Sequence, residues 1–152
     1  MSPEPVAATF PSTEWFDALV AAAKASVDVE RLGFAELRLA FEMRDPDARA
    51  RRFGVVFDGY EIDSAGELDD LAAFDPDVVV EGDLAVFEEM VENVVSHHGA
   101  DGSHTLNALT IAGTPLELRS DDPVRRDRAY RYAESIQQLL DAAALVGVPA
   151  RA

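Results

Sequence analysis

The sequence contains no cysteine and only one lysine, Lys24. The absence of cysteine excludes a disulfide framework, a thiolate zinc site and a cysteine nucleophile. Basic residues are few altogether, since 13 of them stand against 29 acidic residues and give a net charge of −16. Duplex nucleic acid and anionic membrane surfaces attract basic patches, so we expect neither as a partner.

Long hydrophobic runs are also missing. No run of 18 apolar residues occurs, so we expect no integral membrane association. The segment 1–10 lacks the charged start and apolar centre of a signal peptide, which favours a cytoplasmic protein. The arginine-rich, alanine-rich composition indicates a prokaryotic source with a GC-rich genome, or alternatively a salt-loving host whose proteins carry excess carboxylates.

What is present suits one folded domain, because the chain has 152 residues of which 48% are hydrophobic. Three prolines fall within residues 1–11, which we interpret as a flexible N-terminal arm. We expect the folded domain to cover 12–146 and a short C-terminal tail to cover 147–152. No internal repeat or second domain is evident.

The spacing of apolar residues predicts the elements. Helical spacing predicts helices over 13–26, 84–96 and 123–145, with the last the longest, and one or two helical turns within 66–74. Alternation and β-branched residues predict strands at 34–43, 53–57, 60–63, 78–81 and 116–119, while 104–112 fits a helix or a strand. We expect the first two strands to form an antiparallel hairpin. This order favours an α+β fold, a mostly antiparallel sheet covered by helices.

Polar residues give little support for catalysis. His97, His98 and His104 crowd into one loop without the paired spacing of metal ligands, so we expect no metal site. No nucleophile elbow or glycine-rich phosphate loop occurs, and we predict no catalytic residue and no cofactor. An isomerase or dehydratase with one buried carboxylate is an alternative, but Glu36 and Glu42 alternate with the apolar residues of their strand.

The sequence has one basic patch, formed by Arg125, Arg126, Arg128 and Arg131. It fits a solvated helix face whose arginines pair with nearby acids. It also fits a site for an acidic head group or a coenzyme A phosphate. Apolar side chains are more plentiful, and they are candidates either for plain core or for the lining of a lipid-sized cavity.

Three strings resemble the sterol carrier protein type 2 family: the strand and helix at 77–87, the alternating strands 34–43 and 53–57, and the stretch 109–120. The resemblance covers about residues 12–145. It implies a five-stranded sheet under helices, with an apolar tunnel between them for sterols, fatty acids or fatty acyl-CoA. The helices at 84–96 and 123–145 would help to roof that tunnel.

The resemblance implies non-catalytic binding or transfer of a lipid-like small molecule. The expected lining residues are Phe16, Leu39, Phe41, Phe57, Phe87, Met90, Val91, Leu106, Leu109 and Leu140. An accessory module, which docks a partner enzyme or forms a homodimer through its apolar face, is the second hypothesis.

Overall fold

A computed structural model describes residues 9–26, 35–59, 61–111 and 115–147. The expected arm up to residue 8, the turn at 27–34 and the tail from 148 lie outside the described residues, as do Tyr60 and 112–114. The elements are α1 (Thr13–Ser26), β1 (Ala35–Arg44), β2 (Arg51–Gly59), β3 (Glu61–Glu67), α2 (Leu71–Phe74), β4 (Val78–Asp83), α3 (Leu84–His97), α4 (Leu106–Thr110), β5 (Glu117–Arg119), α5 (Pro123–Arg131), α6 (Ala133–Asp141) and α7 (Ala143–Val146).

The strands form one five-stranded sheet in the order β3-β2-β1-β4-β5. The β1–β2, β2–β3 and β4–β5 pairs are antiparallel, and β1 pairs with β4 in parallel. The expected hairpin is present, with Leu39 opposite Val55 and Phe41 opposite Phe53. The predicted α+β class and the mostly antiparallel sheet are confirmed.

One face of the sheet carries the core, because the alternation in β1 turns Leu37, Leu39, Phe41 and Met43 to the same side. Helices α1, α3 and α6 pack there. Aromatic rings fill the centre: the rings of Phe16 and Phe53 stack with centroids 5.0 Å apart. Near the N-terminus, Phe10 packs against Trp15 with centroids 4.6 Å apart, so the last part of the expected arm is held on the core.

The opposite face of the sheet carries charge. Glu42 and Glu81 lie side by side on β1 and β4, and the Arg119 guanidinium approaches their carboxylates at 3.2 and 3.4 Å. Burial raises the pKa of the Glu81 carboxyl, and Arg119 opposes that shift. Helix α2 covers another part of this face, where the Arg38 guanidinium lies 4.5 Å from the centre of the Phe74 ring.

The predicted single helix over 123–145 is wrong. The segment forms three helices that break at Tyr132, whose backbone leaves the helical region (φ −105°, ψ 18°), and at Ala142. The first break separates two burial patterns, since α6 buries a full apolar stripe but α5 buries only Ala129. The break therefore lets α5 and α6 take different directions, so that α5 meets the core only through Ala129.

Three further points concern the ends of elements. Segment 104–112, left open above, contains the helix α4, which begins where Thr105 Oγ1 accepts a hydrogen bond from the Ala108 N–H at 3.1 Å. Gly66 belongs to β3, so only the end of the predicted turns at 66–74 is helical. Asp83 precedes α3 without a capping hydrogen bond from its side chain, whereas Asp122 caps α5 by accepting from the Val124 N–H at 2.9 Å.

Space at Gly82 gives a test of this packing. A methyl group at Gly82 would overlap Leu116 Cδ2 and lie 3.2 Å from the Pro115 carbonyl oxygen, and Leu116 is fully buried. We expect Gly82→Ala to lower the free energy of unfolding by about 1–3 kcal/mol, as overpacked cores do. A urea titration monitored by the fluorescence of Trp15 measures this change in the free energy of unfolding.

Gly102→Ala is the matched control, because nothing lies within 4 Å of its added methyl group. Equal stability of the two variants would contradict the close packing of β4 against residues 115–116.

Candidate ligand-binding site

An open cleft of about 480 Å³ lies between the core face of the sheet and the helices α4, α5 and α6. Leu39 of β1 and Leu118 of β5 form its floor. The remaining lining residues are Thr105, Leu106, Asn107, Thr110, Ala129, Tyr130, Ala133, Glu134, Ile136 and Gln137. The volume falls in the range of about 300–1,000 Å³ that is typical of small-molecule sites.

The cleft exists because the side chains at the α5–α6 junction are small. Ala129 and Ala133 are four residues apart on either side of the break at Tyr132, and both line the cleft. An alanine has only one methyl group, so two of them above Leu39 leave room that larger residues would fill. Both alanines belong to the apolar stripe that the sequence shows over 129–143, and their small size was the available signal.

The helix α4 forms the outer wall and is held by a chain of hydrogen bonds. The Leu106 N–H donates to Gln137 Oε1 at 2.8 Å, and Gln137 Nε2 donates to Asp141 Oδ1 at 2.8 Å. The same Asp141 oxygen accepts from the Ala100 N–H at 3.1 Å. Gln137 therefore ties the start of α4, and Asp141 ties the loop before it, to α6.

The loop before α4 has its own hydrogen-bond network around Asp101. His104 Nδ1 lies 2.7 Å from Asp101 Oδ1, and Asn93 Nδ2 donates to Asp101 Oδ2 at 3.0 Å. Hydrogen bonds from His104, Asn93 and Ser103 hold the pKa of the Asp101 carboxyl well below its usual range. This network orients the loop that leads into the cleft wall.

The chemistry of the cleft is that of non-covalent binding. Its floor and inner walls are aliphatic, and among the described lining residues only Glu134 has a charged side chain. Thr105, Asn107, Thr110 and Tyr130 also line the cleft, but the Thr105 hydroxyl caps α4 and the Thr110 hydroxyl donates to the Leu106 carbonyl. Such a lining suits an apolar molecule with a small polar part.

In the structure, the ten residues that were expected to line a ligand tunnel fall into three groups. Leu39 and Leu106 line the cleft. Six others surround a void of about 10 Å³ in the aromatic core, and this void has the size of roughly one water molecule. They are Phe16, Phe41, Phe87, Met90, Val91 and Leu140. Phe57 and Leu109 are buried core residues that line neither the void nor the cleft.

Asp77 is a buried carboxylate at the start of β4, of the kind that the isomerase hypothesis requires. Its Oδ2 accepts from the Arg38 N–H at 2.8 Å, and its Oδ1 accepts from Arg125 Nε at 2.8 Å and lies 3.3 Å from Arg128 Nη1. Because both oxygens are engaged by donors of the protein, this carboxylate is placed to hold α5 on the sheet rather than to move a proton.

Within the part of the chain that the structure describes, no three acidic or histidine side chains come together to hold a metal ion. His97 Nδ1 lies 2.9 Å from the Asn93 carbonyl oxygen. None of the helices in the described ranges is long and apolar enough to cross a bilayer.

No family model matches the chain, and no curated protein matches it. Several solved structures, in contrast, are similar to the chain. A crystal structure of sterol carrier protein 2 has a TM-score of 0.66 at 22% identity over 88% of this chain and 95% of that chain. The solution structure of a conserved hypothetical protein from Thermus thermophilus has a TM-score of 0.66 at 20% identity, over 97% and 93% of the two chains. The chain has the fold of sterol carrier protein 2.

An apo structure of sterol carrier protein 2 from Yarrowia lipolytica is also similar, with a TM-score of 0.50 at 13% identity over 89% of this chain and 93% of that chain. The resemblance drawn from the strings at 34–43, 53–57, 77–87 and 109–120 is confirmed for the fold. The three solved structures cover between 88% and 97% of this chain.

Gln137 provides a test of how the cleft wall is held. We expect Gln137→Ala to lower the free energy of unfolding by about 1–2 kcal/mol, since it leaves the Leu106 N–H without its acceptor and removes a donor from Asp141. Hydrogen exchange at the Leu106 amide should become faster. Gln138→Ala is the control, because the Gln138 side chain makes one long contact of 3.5 Å to Glu134. Unchanged exchange at Leu106 in Gln137→Ala would contradict this role.

Proposed function

We propose that the protein binds an apolar small molecule in the cleft, without catalysis, as a carrier of a lipid-like ligand. The observation that carries the proposal is the aliphatic cleft of about 480 Å³ between Leu39 and Leu118 below and the two alanines above. The fold supports the proposal, because one of the solved structures with a TM-score of 0.66 to this chain is a sterol carrier protein 2. In this proposal Leu39 and Leu106 contact the ligand, and the six residues around the core void hold the sheet that forms the floor.

The hydrophobic effect is sufficient to drive such binding. Burying apolar surface contributes about 25 cal/mol per Å², so a ligand that buries about 300 Å² gains about 7 kcal/mol before the costs of association. Those costs reduce the net affinity to a level typical of reversible carriers rather than of tight inhibitors. A reversible complex suits uptake and release of a ligand.

Filling the cleft tests the site. Ala133→Phe places a ring in the space that the ligand would occupy, so we expect at least a roughly tenfold weaker affinity for the neutral apolar fluorophore N-phenyl-1-naphthylamine. Fluorescence titration of the probe gives the dissociation constant, and urea titration confirms that the variant is folded.

Ala85→Phe is the matched control, because Ala85 is an exposed alanine on α3 that does not line the cleft. It should bind the probe as the parent protein does. Equal binding by Ala133→Phe would mean that the probe lies elsewhere and would overturn the cleft as the site.

A native mass spectrum of gently purified protein distinguishes the carrier from the accessory module. A stoichiometric mass excess that disappears on denaturation supports a carrier and gives the mass of the ligand. A dimer without bound mass, together with no binding of the fluorophore, would favour association through an apolar face instead.

A further inference from the structure

Three glutamates form a row on the charged face of the sheet, opposite the core. The strand register places Glu117 of β5 opposite Glu81 of β4, and Glu81 beside Glu42 of β1. Carboxylates that face each other on neighbouring strands repel, and water screens this repulsion little because the side chains of Glu42 and Glu81 are only 15% exposed. The row therefore needs cations or protons between its members.

Two arginines supply positive charge to one end of the row. Arg52 contacts Glu42 at 3.0 Å. Arg119 contacts Glu42 at 3.2 Å and Glu81 at 3.4 Å. Among the ion pairs of the described residues, none includes Glu117. Glu117 is thus the member of the row whose charge no arginine balances in this structure.

A proton joins the other end of the row. The side chains of Glu81 and Glu117 are hydrogen-bonded to each other, and a hydrogen bond between two carboxyl groups requires that one of them keeps its proton as the donor. Burial raises the pKa of the Glu81 carboxyl, the charge of Arg119 opposes that rise, and the contact with Glu117 adds to it. Glu81 therefore keeps its proton to a higher pH than an ordinary glutamate.

Glu117 also lines a recess of about 440 Å³ that adjoins the cleft. This space, which we name the side recess, lies between Asn107 and Thr110 of α4, Glu117 of β5, and Arg126 and Tyr130 of α5. It shares Asn107, Thr110 and Tyr130 with the cleft. Among its described lining residues, Glu117 and Arg126 are the two with charged side chains, so the recess has an acid on its β5 side and a cation on its α5 side.

The Arg126 guanidinium is available to Glu117. Each of the other three arginines of α5 contacts an aspartate at 2.8 to 3.6 Å, whereas no acidic side chain within the described ranges forms an ion pair with Arg126. Each residue of a helix is rotated by about 100° from the previous one, so Arg126 lies on a different face from Arg125, which contacts Asp77. Arg126 shares its face with Tyr130, four residues later, and both line the side recess.

We propose that Glu117 is a pH-sensitive latch beside the cleft. With Glu81 protonated, Glu117 stays at Glu81 and the side recess is open, as in this structure. Once Glu81 has lost its proton, the two carboxylates repel each other and Glu117 turns to the Arg126 guanidinium. The new ion pair joins β5 to α5 across the side recess and narrows the way into the cleft. The effect on a ligand rests on the proposed function, but the latch itself does not.

Several charged or titratable groups face the latch from the elements around it. They are Glu42 and Arg44 of β1, Arg52 of β2, Asp83 of β4, Arg119 of β5, Arg126 and Tyr130 of α5, and Glu134 of α6. On the sheet, Glu42, Glu81 and Asp83 each contact an arginine. Glu117 is therefore the strand acid of this set that is free to change partner when Glu81 ionises.

The Arg126 Nε–H resonance, followed by nitrogen-15 NMR from about pH 5 to about pH 8, tests the latch without a ligand. In the parent protein we expect this resonance to shift in the step in which the Glu81 carboxyl ionises, because Glu117 then reaches Arg126. The shift should be lost in Glu81→Gln, since an amide N–H at position 81 donates a hydrogen bond to Glu117 at every pH in this range.

Glu36→Gln is the matched control, because Glu36 is an exposed glutamate of β1 that does not line the side recess, and its replacement removes the same charge. It should keep the shift of the parent protein. No shift in the parent protein, or an equal shift in Glu81→Gln, would overturn the latch.

The latch should also slow the entry of a ligand. We expect N-phenyl-1-naphthylamine to associate with the parent protein about threefold more slowly at about pH 8 than at about pH 5, as suits an ion pair near the surface, and Arg126→Gln to abolish this difference. Stopped-flow fluorescence measures the rates. Arg131→Gln is the control that should keep the difference, since Arg131 is an exposed arginine of α5 that contacts Asp127.

The two measurements separate the latch from the proposed function. Equal association rates at the two pH values would overturn the effect of the latch on the cleft. If the fluorophore failed to bind at any pH while the Arg126 resonance shifted as expected, the proposed function would fail and the latch would stand.

Discussion

The hydrogen bonds of the buried Asp77 carboxylate determine where α5 lies on the sheet. One oxygen of Asp77 accepts from the backbone of β1 through Arg38, and the other faces Arg125 and Arg128 of α5. A buried carboxylate is costly without such donors, so the helix and the two parallel strands are tied together at this point. Since α5 contributes Ala129 and Tyr130 to the cleft, its position sets the width of the proposed site.

The contacts of Asp77 also separate the arginines of α5 into two groups. Two arginines of α5 fix the helix to Asp77, and the rotation of the helix directs Arg126 away from that cluster. Among the described residues of α5, the Arg126 guanidinium has no acidic partner, although the net charge of the protein is −16.

The aromatic core and the cleft have different roles although both lie on the same face of the sheet. Large rings at Phe16, Phe41 and Phe87 leave a void of only about 10 Å³ between them, which gives a rigid platform. Small side chains at Ala129 and Ala133 leave the cleft open farther along the sheet. Size at a few positions, rather than hydrophobicity, separates the packed region from the proposed binding region.

The sequence by itself determined the elements that depend on local pattern. Alternation in 34–43 predicted β1 and its buried face, and helical spacing predicted that a helix begins at 123, because side-chain periods are set within a few residues. The break at Tyr132 was missed, since the apolar stripe over 129–143 is continuous. Only the tertiary structure decided which arginines of α5 pair with Asp77 and that Leu39, Leu106 and Ile136 meet around one cleft. Those facts depend on distances between residues far apart in the chain, which local periodicity does not encode.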